Sequence, residues 1–149
     1  MVSIDLVKEL RETTGISISE CKKALEEAKG DMEKAKAVLR EWGKEVANKK
    51  QERSVGQGLV EAYVHVNGRI GSLVALKCET DFVARSEDFK NLCHELALQT
   101  AFMEAESVDD FLAQQYIKDP SKTIKDLVGE YIVKLGENIV IEKFARIQV

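Results

Sequence analysis

The chain has 149 residues, of which 44% are hydrophobic, and a net charge of -4. This composition predicts a packed globular protein of one domain or two small ones, and it excludes a largely disordered chain. A nucleic-acid-binding protein usually carries a basic surplus, so direct binding of RNA or DNA is not expected. The three cysteines lack C-x-x-C spacing and predict neither a disulfide framework nor a zinc site. Because no signal segment or membrane-spanning run occurs, we expect a cytoplasmic protein without a membrane partner.

Residues 1–43 are interpreted as three short helices that must pack together, because isolated helices of this length are marginal in water. Each predicted helix begins after a residue that can cap it: Ser3, Ser17 and Asp31. Gly43 is expected to end the third helix, and the alternative is that the start of the polar stretch after it prolongs the helix. The polar stretch 44–57 is interpreted as a linker, so the sequence predicts a helical domain over 1–43 and a second module over 58–149.

Residues 59–79 predict a β-hairpin, because two runs rich in β-branched residues meet at Asn67-Gly68. That dipeptide predicts a two-residue type I′ turn, whose register places Ala62 opposite Leu73. Both faces of the hairpin are largely apolar, whereas a sheet with one face in water should alternate more cleanly. Either helices cover both faces, or the second face meets another subunit.

The remainder of the chain predicts helices followed by a strand. A helix of about four turns follows the connection at 80–85, and a capping box at Thr123 begins the clearest apolar stripe, which Gly136 ends. The segment 139–149 is interpreted as a strand with one apolar face: Ile139, Ile141, Ala145, Ile147 and Val149. The predicted fold class is therefore α+β, with a three-helix bundle followed by a three-stranded antiparallel sheet packed against helices.

Motifs for covalent chemistry are absent from the sequence. There is no glycine-rich phosphate loop and no G-x-S-x-G elbow. Adjacent positions on a helix point in divergent directions, so Cys93 and His94 form a poor metal-binding or nucleophile–base pair. We therefore expect no enzymatic activity, no cofactor and no metal site, and the sequence favours a binding or regulatory protein.

The connection between the hairpin and the next helix carries an aromatic residue, Phe82, directly after Asp81. Two interpretations remain open. Phe82 is either a hydrophobic staple that packs against the start of the helix, or a functional side chain. The second interpretation is open because connections between rigid elements often carry functional residues.

Three segments together resemble the elongation factor Ts family: LVKELRETTG with CKKAL (residues 6–15 and 21–25), CETDFVAR (residues 78–85) and GENI (residues 136–139). The resemblance implies a guanine nucleotide exchange factor for the GTPase elongation factor Tu, in its GDP-bound and nucleotide-free forms. It also implies that the amino-terminal bundle is similar to ubiquitin-associated (UBA) domains and docks on the GTPase.

The resemblance further implies which residues act on the partner. Asp81 and Phe82 would intrude near its Mg²⁺ and phosphate site, with Thr80 and Val83 completing the motif. The amino-terminal bundle would contribute further contacts: Ile18, Cys21, Lys22 and Lys23.

The sequence departs from the family pattern in two places. The segment 16–20 differs from the Gly-Met-Met-Asp usually found there, and the stretch between Met103 and Thr123 is too short for the protruding helical hairpin of many members. The chain is most similar to the shortest single-core members, so a homodimer through the outer face of the sheet is expected. The alternative is a sheet covered within one chain, and the alternative function is a UBA-like adaptor that binds proteins without exchange activity.

Overall fold

The computed structural model describes all 149 residues and divides them into two compact units, Met1–Lys49 and Lys50–Val149. Helix accounts for 52% of the chain and strand for 22%, which confirms the predicted α+β class. No helix has the length and apolar character needed to span a bilayer. The elements in chain order are α1 (Ile4–Thr14), α2 (Ile18–Glu27), α3 (Met32–Lys50), β1 (Gln57–Val64), β2 (Ile70–Cys78), α4 (Asp81–Ala84), α5 (Glu87–Phe102), α6 (Val108–Ala113), β3 (Gln115–Tyr116), β4 (Asp119–Thr123), α7 (Ile124–Leu135) and β5 (Val140–Gln148).

The first unit is a three-helix bundle whose helices begin where their capping residues predict. The side chains of Ser3, Ser17 and Asp31 each accept a hydrogen bond from the backbone N–H three residues on. Each helix then buries one apolar stripe in a shared core: Val7, Leu10, Cys21, Ala24, Leu25, Ala28, Ala35 and Leu39. Helices α1 and α2, of 11 and 10 residues, are too short to be stable alone, so this small core holds the bundle together.

The predicted end of the third helix at Gly43 is wrong and the alternative, an extension into the polar stretch, is confirmed, because α3 continues to Lys50. Gly43 is buried within the helix, and the residues after it are mostly lysine, glutamate and alanine, which favour helix. The cost of one glycine, about 1 kcal/mol, is therefore not enough to stop the helix there. The first half of the predicted 44–57 linker is thus helical.

The second unit contains the predicted three-stranded antiparallel sheet, in the order β1-β2-β5. The register is confirmed, since Ala62 pairs with Leu73. The predicted type I′ turn is wrong, because only Gly68 has a positive φ, of 69°, and Asn67 does not. The Asn67 side chain instead accepts a hydrogen bond from the Arg69 N–H at 2.9 Å, which stabilises a wider loop with the same register.

The predicted single apolar face of the last strand is also wrong. A β-bulge in the β2–β5 pairing places Leu76 opposite Ile141 and Ala75 opposite Lys143. The extra residue reverses the alternation, so Ile141 is buried against the helices, whereas Ile147 lies on the other face and is exposed. A bulge of this kind leaves no clear signal in the apolar pattern of a single strand.

Helix α5 lies on the inner face of the sheet and supplies most of the core of the second unit. Its fully buried side chains are Phe89, Leu92, Cys93, Leu96, Ala97 and Ala101. The capping box at Thr123 and the end of α7 at Gly136 (φ 75°) are confirmed. The short ribbon of β3 and β4 was not predicted, since Asp119-Pro120 indicates a turn and proline is rare in strands.

Candidate functional site

The connection after β2 forms the single-turn helix α4, and its orientation places Phe82 in solvent. The hydroxyl oxygen of Thr80 caps this helix by accepting a hydrogen bond from the Val83 N–H at 3.2 Å. Val83 and Ala84 point inward and are buried, whereas Phe82 is 85% exposed. The staple interpretation of Phe82 is therefore wrong, because its ring does not pack against its own unit.

Asp81 precedes Phe82 in the chain and forms an ion pair with Arg85, four residues on. Its Oδ2 lies 2.8 Å from Arg85 Nε, and both side chains are largely exposed. An exposed pair of this kind contributes little to stability, so it can open at small cost when another partner is offered. Asp81 and Phe82 thus form the outward surface of α4, while Thr80 and Val83 hold the helix in place.

The carboxylate of Glu137, from the loop between α7 and β5, fixes the turn that precedes α4. Its Oε1 accepts hydrogen bonds from the N–H groups of Glu79 at 3.1 Å and Thr80 at 2.9 Å. Its Oε2 accepts a third from the Thr80 hydroxyl at 2.7 Å. Hydrogen bonds to an ionised carboxylate are roughly twice as strong as those between neutral groups.

A second carboxylate, that of Glu79, accepts a hydrogen bond from the loop that carries Glu137. Glu79 Oε2 accepts a hydrogen bond from the Asn138 N–H at 2.7 Å and lies 3.6 Å from Arg53 Nη1. We call these reciprocal contacts of Glu79 and Glu137 the carboxylate clamp. The two loops that it joins are 57 positions apart, so local sequence patterns gave no signal of it.

The loop that carries Glu137 is also joined to residues 50–53, at the start of the second unit. The side-chain amide of Asn138, which is buried, donates to the Arg53 carbonyl at 2.9 Å and to the Gln51 carbonyl at 3.4 Å. The Lys50 ammonium donates to the Gly136 carbonyl at 2.8 Å. These contacts fix the loop from its other side.

In the amino-terminal unit, three of the four residues named as partner contacts are exposed and one is not. Ile18, Lys22 and Lys23 are exposed on α2, and the Lys22 ammonium lies 3.9 Å from Glu26 Oε1. Cys21 is 0% exposed, because it lies on the inner face of α2. The predicted contact of the Cys21 side chain with a partner is therefore wrong, and burial raises the pKa of its thiol.

Two observations concern the reactive side chains outside α4. No group of three or more His, Cys, Asp or Glu residues is placed to hold a metal ion. Burial raises the pKa of the Cys93 thiol to about 12, so it stays protonated and is a poor nucleophile near neutral pH. What the site offers is an exposed ring and a carboxylate on a firmly held helix, which suits binding to another protein.

Comparison with known proteins identifies the family. A family model described as Elongation factor TS matches residues 79–149. Elongation factor Ts of Coprothermobacter proteolyticus is 44% identical over 190 aligned positions, which cover 97% of this chain and 96% of that protein. Elongation factor Ts of Thermoanaerobacter sp. (strain X514) is 42% identical over 193 positions, which cover 99% of this chain and 95% of the relative.

These two alignments are longer than the 149 residues of this chain, so both relatives contain residues without a counterpart here. Elongation factor Ts of Clostridium kluyveri is 45% identical over 149 positions, and this chain spans 49% of its length. The identities and the coverage of the first two relatives show that the chain belongs to the elongation factor Ts family.

Proposed function

We propose that this chain is a guanine nucleotide exchange factor for elongation factor Tu, and that Phe82 and Asp81 promote the release of GDP. Membership of the family implies the exchange role in translation elongation. The role of Phe82 is supported by one observation above all: its ring is exposed on a helix that the carboxylate clamp holds in place. Because elongation takes place in the cytoplasm, we also propose a cytoplasmic location.

The mechanism follows from how a GTPase holds its nucleotide. A phosphate-binding loop and a Mg²⁺ ion that bridges the phosphates provide much of the binding of the nucleotide. Mg²⁺ requires near-ideal octahedral geometry, so a small displacement of its surroundings weakens its binding. The Phe82 ring enters a pocket beside this site and displaces packed side chains. The Asp81 carboxylate accepts hydrogen bonds from the partner and fixes the ring, and no covalent bond changes.

Exchange then results from differential binding. The factor binds the nucleotide-free GTPase more tightly than the GDP-bound form, and linkage requires that GDP weakens binding of the factor by the same ratio. Reversing a 99:1 population between two states takes a difference of about 5.5 kcal/mol. That difference must come from all contacts together, including those of the exposed residues of α2: Ile18, Lys22 and Lys23.

The proposal is tested by measuring the release of a fluorescent GDP analogue from elongation factor Tu, with increasing concentrations of this protein and excess unlabelled GDP. The expected result is an acceleration that saturates as the complex forms. An unchanged release rate at a concentration where binding is complete would refute exchange. Binding without acceleration would instead support the UBA-like adaptor.

We further propose that the protein forms a homodimer through the outer face of the sheet. The helices of the second unit lie on the inner face, and the outer face exposes an apolar surface: Val60, Ala62, Val64, Leu73, Ala145 and Ile147. Val60 and Ile147 are 69% and 70% exposed. Contiguous apolar surface of this kind commonly marks a protein–protein interface.

Light scattering at micromolar concentration tests this assembly. The expected mass is twice the monomer mass of 16.7 kDa. Val64→Asp should shift the protein to the monomer, because a charge on the apolar face is costly to bury. Ile117→Asp, at an exposed position outside the outer sheet face, is the matched control and should leave the mass unchanged. A monomeric wild-type protein would refute the homodimer.

A further inference from the structure

We propose that Glu137 is a positioning residue for Phe82: through the carboxylate clamp it sets the direction in which α4 presents the ring. The inference rests on the exchange function proposed above and assigns a task to a residue far from α4 in the sequence. Glu137 itself does not need to touch the GTPase, because it acts on the turn at Glu79 and Thr80.

Helix α4 needs an external support because it has only four residues. Its backbone hydrogen bonds are few, from Ala84 N–H to the Thr80 carbonyl and from Arg85 N–H to the Asp81 carbonyl, each 3.1 Å long. A nucleus of this size is unfavourable in isolation, since many backbone torsions are fixed for one or two hydrogen bonds. Burial of Val83 and Ala84 anchors the inner side, and Cys78 Sγ donates to the Thr80 carbonyl at 3.2 Å, but neither contact holds the N–H groups of Glu79 and Thr80.

Glu137 supplies the missing constraint at that turn. One carboxylate oxygen holds two successive backbone N–H groups, and the other holds the hydroxyl that caps α4. Because the Thr80 hydroxyl donates to Glu137 while its oxygen accepts from Val83 N–H, its orientation is fixed at both ends. Asp81 and Phe82 directly follow Thr80, so a backbone rotation at Thr80 would change the direction of both side chains.

The position of Glu137 is fixed by contacts of the residues on either side of it. The next residue, Asn138, donates its N–H to Glu79 at 2.7 Å, which closes the clamp. Gly136 ends α7 just before it, in a left-handed conformation. The clamp thus ties α4 to the junction of α7 and β5. A rigid mount matters for exchange, because ordering a loose side chain during binding reduces the free energy available for acting on the partner.

The first test needs no partner. Backbone amide hydrogen exchange, followed by NMR, should be faster at Glu79 and Thr80 by about tenfold or more in Glu137→Ala, because both amides lose their acceptor. Glu137→Gln keeps an acceptor oxygen and should restore most of the protection. Asp126→Ala is the matched control, since its carboxylate caps the Thr123 N–H at 3.0 Å on α7 and should leave these two amides unchanged.

The second test is the GDP-release assay in a double-mutant cycle. Glu137→Ala should lower the saturating acceleration by about tenfold relative to Asp126→Ala, at comparable thermal stability. In an Asp81→Ala/Phe82→Ala background, Glu137→Ala should cause no further loss, because both side chains that it positions are already absent. A residue with only a structural role would instead reduce activity by the same factor in both backgrounds.

The outcomes separate the two proposals. If the wild-type protein accelerates release and Glu137→Ala is equally active, or if Glu137→Ala causes its full loss in the Asp81→Ala/Phe82→Ala background, the positioning role is overturned and the exchange function stands. If the wild-type protein does not accelerate release, the exchange function is overturned. Unchanged amide exchange at Glu79 and Thr80 in Glu137→Ala would overturn the clamp itself.

Discussion

The sharpest prediction concerns the substitution Phe82→Ala, which removes the exposed ring and leaves the backbone of α4 in place. In the free protein the ring is 85% exposed, so nearly all of its apolar surface is available for burial in a partner. Full burial of a phenylalanine side chain contributes about 1.5–3 kcal/mol. If that free energy is gained only as the nucleotide leaves, its loss slows the exchange step directly.

The expected magnitude follows from these values. Since each 1.36 kcal/mol corresponds to a tenfold change in rate, Phe82→Ala should reduce the saturating acceleration of GDP release by about 10- to 100-fold. The same substitution should change the free energy of unfolding by less than about 0.5 kcal/mol, because the ring buries little surface within its own unit. A large functional loss without a loss of stability distinguishes a contact residue from a core residue.

The assay is GDP release from elongation factor Tu, measured together with urea denaturation of each variant. Val66→Ala is the control, because this valine is 97% exposed on the hairpin loop and lies outside the proposed site. It should retain the wild-type rate. A loss of less than threefold in Phe82→Ala, or a loss explained by unfolding, would refute the reasoning.

Three further predictions concern stability and reactivity. The folded Cys93 thiol keeps its proton up to a pKa of about 12, whereas the unfolded thiol loses it near 9.0. The free energy of unfolding should therefore fall as pH rises above 9.0, by up to about 1.4 kcal/mol per pH unit. Cys93→Ala should reduce this slope in urea titrations at about pH 8 to 10. Thr123→Ala removes one half of the capping box and should lower the free energy of unfolding by about 1 kcal/mol, whereas an unchanged value would show that the box contributes nothing. Phe89→Ala empties a fully buried position and should cost about 3–5 kcal/mol in the same measurement; a cost below 1 kcal/mol would mean that the core collapses into the gap.

Features that depend on neighbours in sequence were predicted well. The caps at Ser3, Ser17, Asp31 and Thr123 bond to residues three positions on, and such contacts are visible in the sequence. The hairpin register was predicted correctly although the turn type was not, because a loop that is longer by one residue on each side leaves the strand pairing unchanged.

Features that depend on contacts between distant segments were missed. The bulge in β5 arises from how it pairs with β2, and it reversed the predicted face of Ile141. The burial of Cys21 agrees with its helical spacing to Ala24 and Leu25 and disagrees only with the partner contact that the family motif implied. The acceptor for the Thr80 turn could not be inferred, because Glu137 carries no local pattern that points to it.

The hydrogen bonds of Asn138 have a practical consequence for anyone who wishes to produce the second unit alone. Its buried amide relies on the carbonyl groups of Gln51 and Arg53, which precede the first strand. A fragment starting at Gln57 would leave that amide without these acceptors, at a cost of about 1–3 kcal/mol. A fragment starting at Lys50 keeps them, so if it folds while the shorter fragment does not, the failure reflects where the chain was cut rather than a need for the helical bundle.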